Sequence, residues 1–365
     1  MLLESEKQGL LSLQLDIVLD VCTAYLRLLQ AQANLNIQNN NVQTTLKNLN
    51  IAKTKANIGS VSLADVYGFE SQLALNKISL NDAATSLEQA MISFNTLLNI
   101  PLDRHVILQD IEDFDDILFL SQNKLRGGIT NHYDFLEFAE FLIHRTYERA
   151  PELKQLGHVI AAQNRSLLSN KRSLHQPQLV LQGNLDKVFG RYGTRISDDQ
   201  LGEFGVDPFI PTWNIALNAS LPIFQGQLRN KKIQKDEILI DQLQLSKSDL
   251  ELTFASNIRI SLENLANSFN EIQFSQQAET SSNQYLKIVQ DLYREGVSNI
   301  VTLLDAQNNA LSAQLGVVSS RYQFIIDALT IERLTNNIYL LTDEEERQQF
   351  IIDYFDFITE IKKNE

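Results

Sequence analysis

The chain has 365 residues, of which 44% are hydrophobic, and it carries a formal net charge of −14 at pH 7. This charge argues against a nucleic-acid partner, because phosphates would be repelled by such a surface, and the hydrophobic content excludes a disordered chain. Only 14 Gly and 6 Pro interrupt the sequence, which favours an elongated helical body over several globular domains.

Residues 1–100 predict a helical hairpin with a tight turn at Gly59, because apolar residues recur at helical spacing on both sides of this glycine. No run of about 18 consecutive apolar residues occurs, so no membrane-spanning helix is predicted. Residues 36–50, "NIQNNNVQTTLKNLN", form a polar and weakly charged face. We interpret this face as one that meets water, either the bulk solvent or a wet channel.

Residues 101–149 predict an irregular linker with aromatic content, and residues 150–176 a helix that leads into the next segment. Residues 177–224 then alternate between apolar and polar side chains, as strands do. Each of the two alternating runs has roughly the 9–11 residues that a tilted strand needs to cross a bilayer. The apolar side chains expected to face lipid are Leu179, Leu181, Leu185, Trp213, Ile215 and Leu217.

Two interpretations of this segment stay open: a lipid-crossing hairpin, or an ordinary amphipathic hairpin packed on a helix. In the first case the two strands cannot satisfy their own edges in lipid, so other strands must close the sheet. The lipid-crossing interpretation therefore requires an oligomer.

Residues 225–341 predict a second, longer helical hairpin. No Pro or Gly occurs between Leu228 and Tyr293, and apolar residues recur there at spacings of three and four. Leu245, Leu252 and Ile260 lie off this stripe and indicate a second packing neighbour. Residues 342–365 predict a terminal helix with one apolar stripe, expected to pack against the linker region.

The two hairpins are related by an internal repeat. A shift of 237 residues places Gly59 on Gly296, and the surrounding segments then align without a gap. A repeat unit of this length indicates a duplicated half-protein rather than a short solenoid module. The five histidines lack metal-ligand spacing and no phosphate-binding or nucleophile motif occurs, so neither an enzyme nor a cofactor or metal site is predicted.

The two turn motifs, "NIGSVSLADVYGFES" and "REGVSNIVTLLDAQ", and the segments "RAPELKQLGHVIAAQNRSLLSNKRSLHQPQLVLQG" and "WNIALNASLPIFQGQLRNKKIQ" resemble those of TolC-like outer-membrane efflux proteins. The resemblance implies a mainly α fold, with coiled-coil hairpins forming a periplasmic α-barrel and a β-hairpin contributing to a trimeric outer-membrane β-barrel. It also implies a passive exit duct, for efflux or type I secretion, coupled to an inner-membrane transporter through a periplasmic adaptor.

The resemblance also implies site residues. The turns at Gly59, Ser60, Gly296 and Val297 would contact the adaptor. Asp305 would line the closed entrance, where the family's second ring carboxylate is matched by Thr302. Tyr293 would act as a gate latch facing Asp65. Ser298 stands where the family has its latch arginine, so the latch in this chain would use Arg294 in a different way. Plainer roles stay open: Asp305 as a solvated helix residue and Asp65 as a charge partner of the helix N-terminus.

One departure concerns the start of the chain. Family members begin with a signal peptide, a first helix and a first strand pair, whereas Met1 here enters almost directly into the following helix. Three copies of two strands are too few for the family's barrel, so either the sequence is a fragment or the gene is truncated, and a fragment is the favoured interpretation.

The alternative function is a periplasmic coiled-coil tether, or an adaptor-like protein, without a pore.

Overall fold

The computed structural model describes residues 1–109, 132–187, 189, 211–336, 338 and 344–364. Within these residues the fold is mainly helical, as predicted. Its elements are α1 (Leu2–Asn57), α2 (Leu63–Leu97), α3 (His132–Arg149), α4 (Pro151–Arg172), β1 (Gln178–Asp186), β2 (Thr212–Ser220), α5 (Leu228–Glu295), α6 (Ile300–Leu334) and α7 (Glu344–Asn364).

The described residues divide into two compact units. One combines Met1–Ser5 with Leu156–Lys247 and contains the β-hairpin, and the other combines Glu6–Gln155 with Ser248–Glu365. In the β-hairpin unit, the buried carboxylate of Asp236 on α5 accepts hydrogen bonds from Gln163 (3.2 Å) and Asn170 (2.5 Å) on α4. These bonds fix the two helices beside each other where they flank the strands.

The larger unit contains both turns, and the internal repeat is visible in its geometry. Helices α2 and α6 each have 35 residues, and their bounds differ by the same shift of 237 positions. Their N-caps, Ser62 and Asn299, each accept a backbone N–H of the first turn. The turn glycines have φ of +74° and +84°, which a residue with a Cβ adopts only under strain.

Helix α5 is 68 residues long, which corresponds to about 100 Å at 1.5 Å per residue. Its predicted stripe does face the interior: Phe254, Ile258 and Leu262 are buried, with exposures of 7%, 0% and 3%. The off-stripe residues Leu252 and Ile260 are 69% and 55% exposed. The helix therefore packs along one side in this chain and leaves a second apolar seam uncovered.

The terminal helix packs against α3 through aromatic rings. Phe350 and Tyr354 of α7 are buried, and their ring centroids lie 5.2 Å and 5.3 Å from that of Phe141. Arg145 completes the contact, because it binds Asp353 at 2.6 Å. This is the packing that the apolar stripe of the tail predicts.

The interpretation of residues 36–50 as a face that meets water is wrong for three of its residues. Asn41, Thr45 and Asn48 are buried, with exposures of 8%, 0% and 4%. The physical reason is that these side chains form hydrogen bonds inside the protein, with Gln307 of α6 and Asn76 of α2, and only Asn41 Nδ2 has no partner among the described residues. Polar composition alone did not separate a solvated face from a buried network of hydrogen bonds.

Helix α1 bears on the prediction that no helix spans a membrane. An 18-residue window of α1 has a mean hydropathy of 1.5, enough by length and composition to cross a membrane. Such composition is weak evidence for a span, because other helices pass the same test, although only 6% of this window is buried, unlike a core helix. Leu26 of α1 is buried in the core of the helical unit, with Leu19, Cys22 and Tyr25 packed against it.

Candidate functional site

The two helix turns lie side by side at one end of the helical unit, joined by a lysine. Lys55, in the last turn of α1, donates a hydrogen bond from Nζ to the backbone carbonyl of Tyr293 over 2.6 Å. The same Nζ lies 5.3 Å from the centroid of the Tyr293 ring. Lys55 was not predicted from the sequence, although a lysine four residues before a turn glycine is placed to bind carbonyls at a helix end.

A hydrophobic cluster directly below the turns holds the two hairpins together. Tyr293 is 2% exposed and packs edge-on against Phe69, with ring centroids 5.8 Å apart. Val66 and Leu303 are buried in the same cluster. Each hairpin therefore supplies apolar side chains from just beyond its turn, which explains why both turn motifs carry apolar residues at matching positions.

The predicted latch residues are only partly brought together. Burial raises the pKa of the Tyr293 hydroxyl, and the negative charge of Asp65 adds to this effect. That hydroxyl has no hydrogen-bond partner among the described residues. Arg294 instead pairs with Asp291 on its own helix, at 2.9 Å. In this chain, Lys55 makes the hydrogen bond that crosses between the hairpins at Tyr293, whereas the ion pair of Arg294 stays within its own helix.

The predicted constriction residues lie just past the second turn. Asp305 is exposed and accepts a hydrogen bond from Asn309, one turn further along, at 3.3 Å. Thr302 donates both its N–H and its hydroxyl to the side chain of the N-cap residue Asn299, at 2.9 Å and 3.1 Å. Thr302 therefore takes part in the N-terminal cap of α6. Asp305 supplies the carboxylate, and its side chain faces away from the chain's own core.

The predicted adaptor-contacting turns are open to the outside. Gly59, Ser60, Gly296 and Val297 are all exposed, and the Val297 side chain is 73% exposed. Ile58 beside the first turn is 75% exposed. The end of the unit thus presents apolar side chains around two left-handed glycines.

Below the turns, a buried network of polar side chains joins three helices. Gln307 of α6 donates to the side chain of Asn41 at 2.7 Å and accepts from Asn48 at 3.2 Å. Asn76 of α2 donates to Thr45 at 2.7 Å. Because unpaired polar groups are costly in an apolar core, this network specifies one alignment of α1, α2 and α6.

The two strands form an antiparallel ribbon whose faces differ sharply. The register pairs Leu181 with Leu217 and Leu185 with Trp213, so the apolar side chains share one face. The opposite face carries pairs such as Asn184 with Asn214. The structure thus brings the predicted lipid-facing residues together, with exposures of 65–73%: Leu179, Leu181, Leu185, Trp213, Ile215 and Leu217. Residues 191–210, which connect the strands, lie outside the described part of the chain.

A family model described as "Outer membrane efflux protein" matches residues 142–337, more than half of the chain. The chain belongs to this family. The assignment confirms the resemblance stated above and the location it implies, the cell outer membrane with an extension into the periplasm.

Individual relatives of the efflux family are distant but cover most of this chain. The toluene efflux pump outer membrane protein TtgF of Pseudomonas putida is 24% identical over 318 residues, which are 85% of this chain and 58% of TtgF. Outer membrane protein TolC of Vibrio cholerae is 22% identical over 88% of this chain and 67% of its own length. This chain therefore spans less than two thirds of TtgF.

Solved outer-membrane channels share the fold. The outer-membrane channel OprN superposes with a TM-score of 0.73 at 18% identity, covering 93% of this chain and 70% of OprN. The CmeC channel of Campylobacter jejuni gives a TM-score of 0.70 at 18% identity, covering 96% of this chain and 68% of CmeC. These matches confirm the predicted fold class of long helical hairpins with a β-hairpin.

Proposed function

We propose that the chain forms part of a passive exit duct through the outer membrane, for efflux or type I secretion. The observation that carries this proposal is the two-faced ribbon. Trp213 and Leu217 are 71% and 69% exposed, and no described part of the chain covers them. An uncovered apolar face on a paired strand suits lipid, while the polar face suits a water-filled lumen.

Strand length supports a membrane crossing. Each strand has nine residues, which extend about 30 Å and cross the hydrocarbon layer when tilted. The outer edges of β1 and β2 carry unpaired backbone groups, which lipid cannot satisfy. Further strands must close the sheet, and in this proposal sister subunits of a homotrimer contribute to the closure, as the family resemblance implies.

The helical unit supports the same assembly. In this unit the exposed side chains of Leu252 and Ile260, at 69% and 55%, suit packing against the helices of a neighbouring copy. The hairpins at 1–100 and 225–341 would then line a periplasmic tunnel, with the segments 101–149 and 342–365 around its middle. Segments 150–176 and 177–224 would lead to and through the membrane.

At the closed end of this tunnel, the turns would meet a periplasmic adaptor that couples the duct to an inner-membrane transporter. Asp305 supports this picture because it is a carboxylate exposed just past the second turn, where three copies would form an acidic ring. Tyr293, Asp65 and Arg294 would belong to the gate at the same end.

The membrane crossing can be tested with the chain's own fluorescence, since Trp213 is its single tryptophan. The full chain is refolded into vesicles whose lipids carry bromine on the acyl chains. We expect the emission of Trp213 to be quenched relative to unbrominated vesicles. A coiled-coil tether or adaptor-like protein without a pore predicts equal emission in both, and that result would reject the duct.

The acidic ring is tested by single-channel conductance in planar bilayers. Asp305→Asn is expected to weaken the block of conductance by divalent cations, because the variant removes one charge per copy from the entrance. Asp291→Asn is a matched control, since Asp291 is an exposed carboxylate already paired with Arg294. Unchanged block in Asp305→Asn would reject the ring.

A further inference from the structure

Basic residues are concentrated in the two segments that flank the β-hairpin. The whole chain has 45 acidic and 31 basic side chains, yet residues 165–176 and 225–235 contain no Asp or Glu. They contain seven cationic side chains, here called the basic collar: Arg165, Lys171, Arg172, Arg229, Lys231, Lys232 and Lys235.

The two segments meet at the helix side of the strands. Arg229 at the start of α5 donates from Nη1 to the backbone carbonyl of Ser173 at the end of α4, over 2.9 Å. About two turns further along α5, Glu237 pairs with Lys171 of α4 at 2.8 Å. Because the strand register places Gln178 opposite Ser220, the start of β1 and the end of β2 both lie next to this junction. The basic collar is therefore one surface at one end of the hairpin.

Most charges of the collar are uncompensated. Arg165, Arg172, Lys232 and Lys235 are exposed and form no ion pair within the described residues. The pair of Lys171 with Glu237 is itself about half exposed, so it neutralises the surface only weakly.

An open groove of about 770 Å³ lies beside Arg165 and Arg172, with Ser169, Ser173 and Gln176 also on its walls. Guanidinium, hydroxyl and amide groups are the donors that bind phosphate oxygens.

Apolar side chains lie between the strands and the collar. Ile223 and Phe224 lie three and four residues after the end of β2 and are 98% and 86% exposed, and Leu228 at the start of α5 is 65% exposed. Along the chain, the order is therefore apolar strand face, exposed apolar and aromatic side chains, then cations. This is the order of environments from the hydrocarbon layer through the interface to the head groups.

We infer that the basic collar binds the anionic head groups of the membrane leaflet that faces the helices. This inference rests on the proposed crossing of the membrane by the hairpin. With a rise of 1.5 Å per residue, Lys231 to Lys235 lie within about 10 Å of the start of α5, close to the Debye length in physiological salt. Each such cation near a charged lipid surface strengthens binding by about fivefold.

The test is competition between two lipids that differ only in head group. The full chain in uncharged detergent micelles receives equimolar dioleoylphosphatidylglycerol and dioleoylphosphatidylcholine, and native mass spectrometry counts the lipids bound. We expect a preference for the anionic lipid of about tenfold or more at low salt, falling to about twofold at about 500 mM salt. The test variant replaces four collar residues with glutamine: Arg165, Arg172, Lys232 and Lys235.

A matched control variant removes the same charge elsewhere on the surface, through glutamine at four exposed lysines: Lys47, Lys77, Lys154 and Lys287. The collar variant should lose the preference, and the control variant should keep it. Equal loss in both, or no preference in the parent chain, would overturn the inference. So would displacement of the lipid by inorganic phosphate at matched ionic strength, which would indicate a site for free anions.

Failure of the inference and failure of the proposed function give different results. Quenching of Trp213 by brominated acyl chains without a head-group preference would reject the collar and leave the duct in place. A head-group preference without quenching of Trp213 would reject both the crossing and the collar's position beside it.

Discussion

Replacing Lys55 tests whether one side chain holds the two turns together. Lys55→Met keeps the aliphatic stem but removes the ammonium, which lies 2.6 Å from the carbonyl oxygen of Tyr293 and 5.3 Å from its ring centroid. A hydrogen bond to a charged group contributes about 1.5–3 kcal/mol, and a cation–π contact about 0.5–1 kcal/mol. The carbonyl keeps its bond from the Gly296 N–H at 3.2 Å, so it is not orphaned. We expect a local loss of about 2 kcal/mol.

The assay is hydrogen exchange of backbone amides, followed by mass spectrometry of peptides that cover the two turns. A loss of about 2 kcal/mol corresponds to roughly 30-fold faster exchange there, when exchange follows local opening. Lys53→Met is the matched control. Lys53 pairs with Glu70 at 2.8 Å, but the two side chains are 50% and 43% exposed. Exposed pairs contribute little, so its turn peptides should change by about twofold or less.

Two outcomes would refute this reasoning about Lys55. Equal acceleration in both lysine variants would show that the half-buried hydrogen bond to the Tyr293 carbonyl stabilises the turns no more than an exposed ion pair does. Acceleration spread evenly over all helices would show that Lys55 supports global stability rather than the junction of the turns.

Three further predictions concern stability, each measured by chemical denaturation of the full chain. Gln307→Ala should lower the free energy of unfolding by about 3 kcal/mol, because buried side-chain partners on α1 lose their hydrogen bonds. Gly59→Ala should cost about 1 kcal/mol, since φ is +74°, whereas Gly316→Ala inside α6, with no atom within 4 Å of its Cβ position, should stabilise by about 0.5–1 kcal/mol. Burial would raise the pKa of Glu152, but hydrogen bonds, chiefly from Arg333, lower it below its ordinary value. The stability that ionised Glu152 contributes to the fold is therefore fully present at a pH above the ordinary pKa of a glutamate, and it is lost as the pH falls through the lowered pKa. Arg333→Met should abolish this acid dependence.

The helical hairpins and the ribbon were predictable because both depend on periodic patterns. A glycine between two helical patterns marks each turn, and the 237-residue shift assigns α2 and α6 the same length. Strict alternation assigned Leu181 and Leu217 to one face, which the register reproduces. These features follow from the neighbours of each residue along the chain.

Contacts between distant segments were harder to predict. Lys55 and Tyr293 are 238 positions apart, and Asn48 and Gln307 are 259 apart. Nothing in the local pattern around Asn48 distinguishes an amide that meets water from one that meets another amide. The partner of a polar residue on a long helix depends on which neighbouring helix faces it, and that information is spread over the whole fold.

The equal length of α2 and α6 places the ends of the two helices at the same distance from their turns. Thirty-five residues span about 52 Å, so both helices break at the same distance from their turns, and the residues just past the breaks, Asn99 and Asn336, share a φ of 53°. Deleting one helical turn from α2 or from α6 alone would place the ends of the two helices at different heights. Deleting the same turn from both helices would shorten them equally and keep their ends at one height.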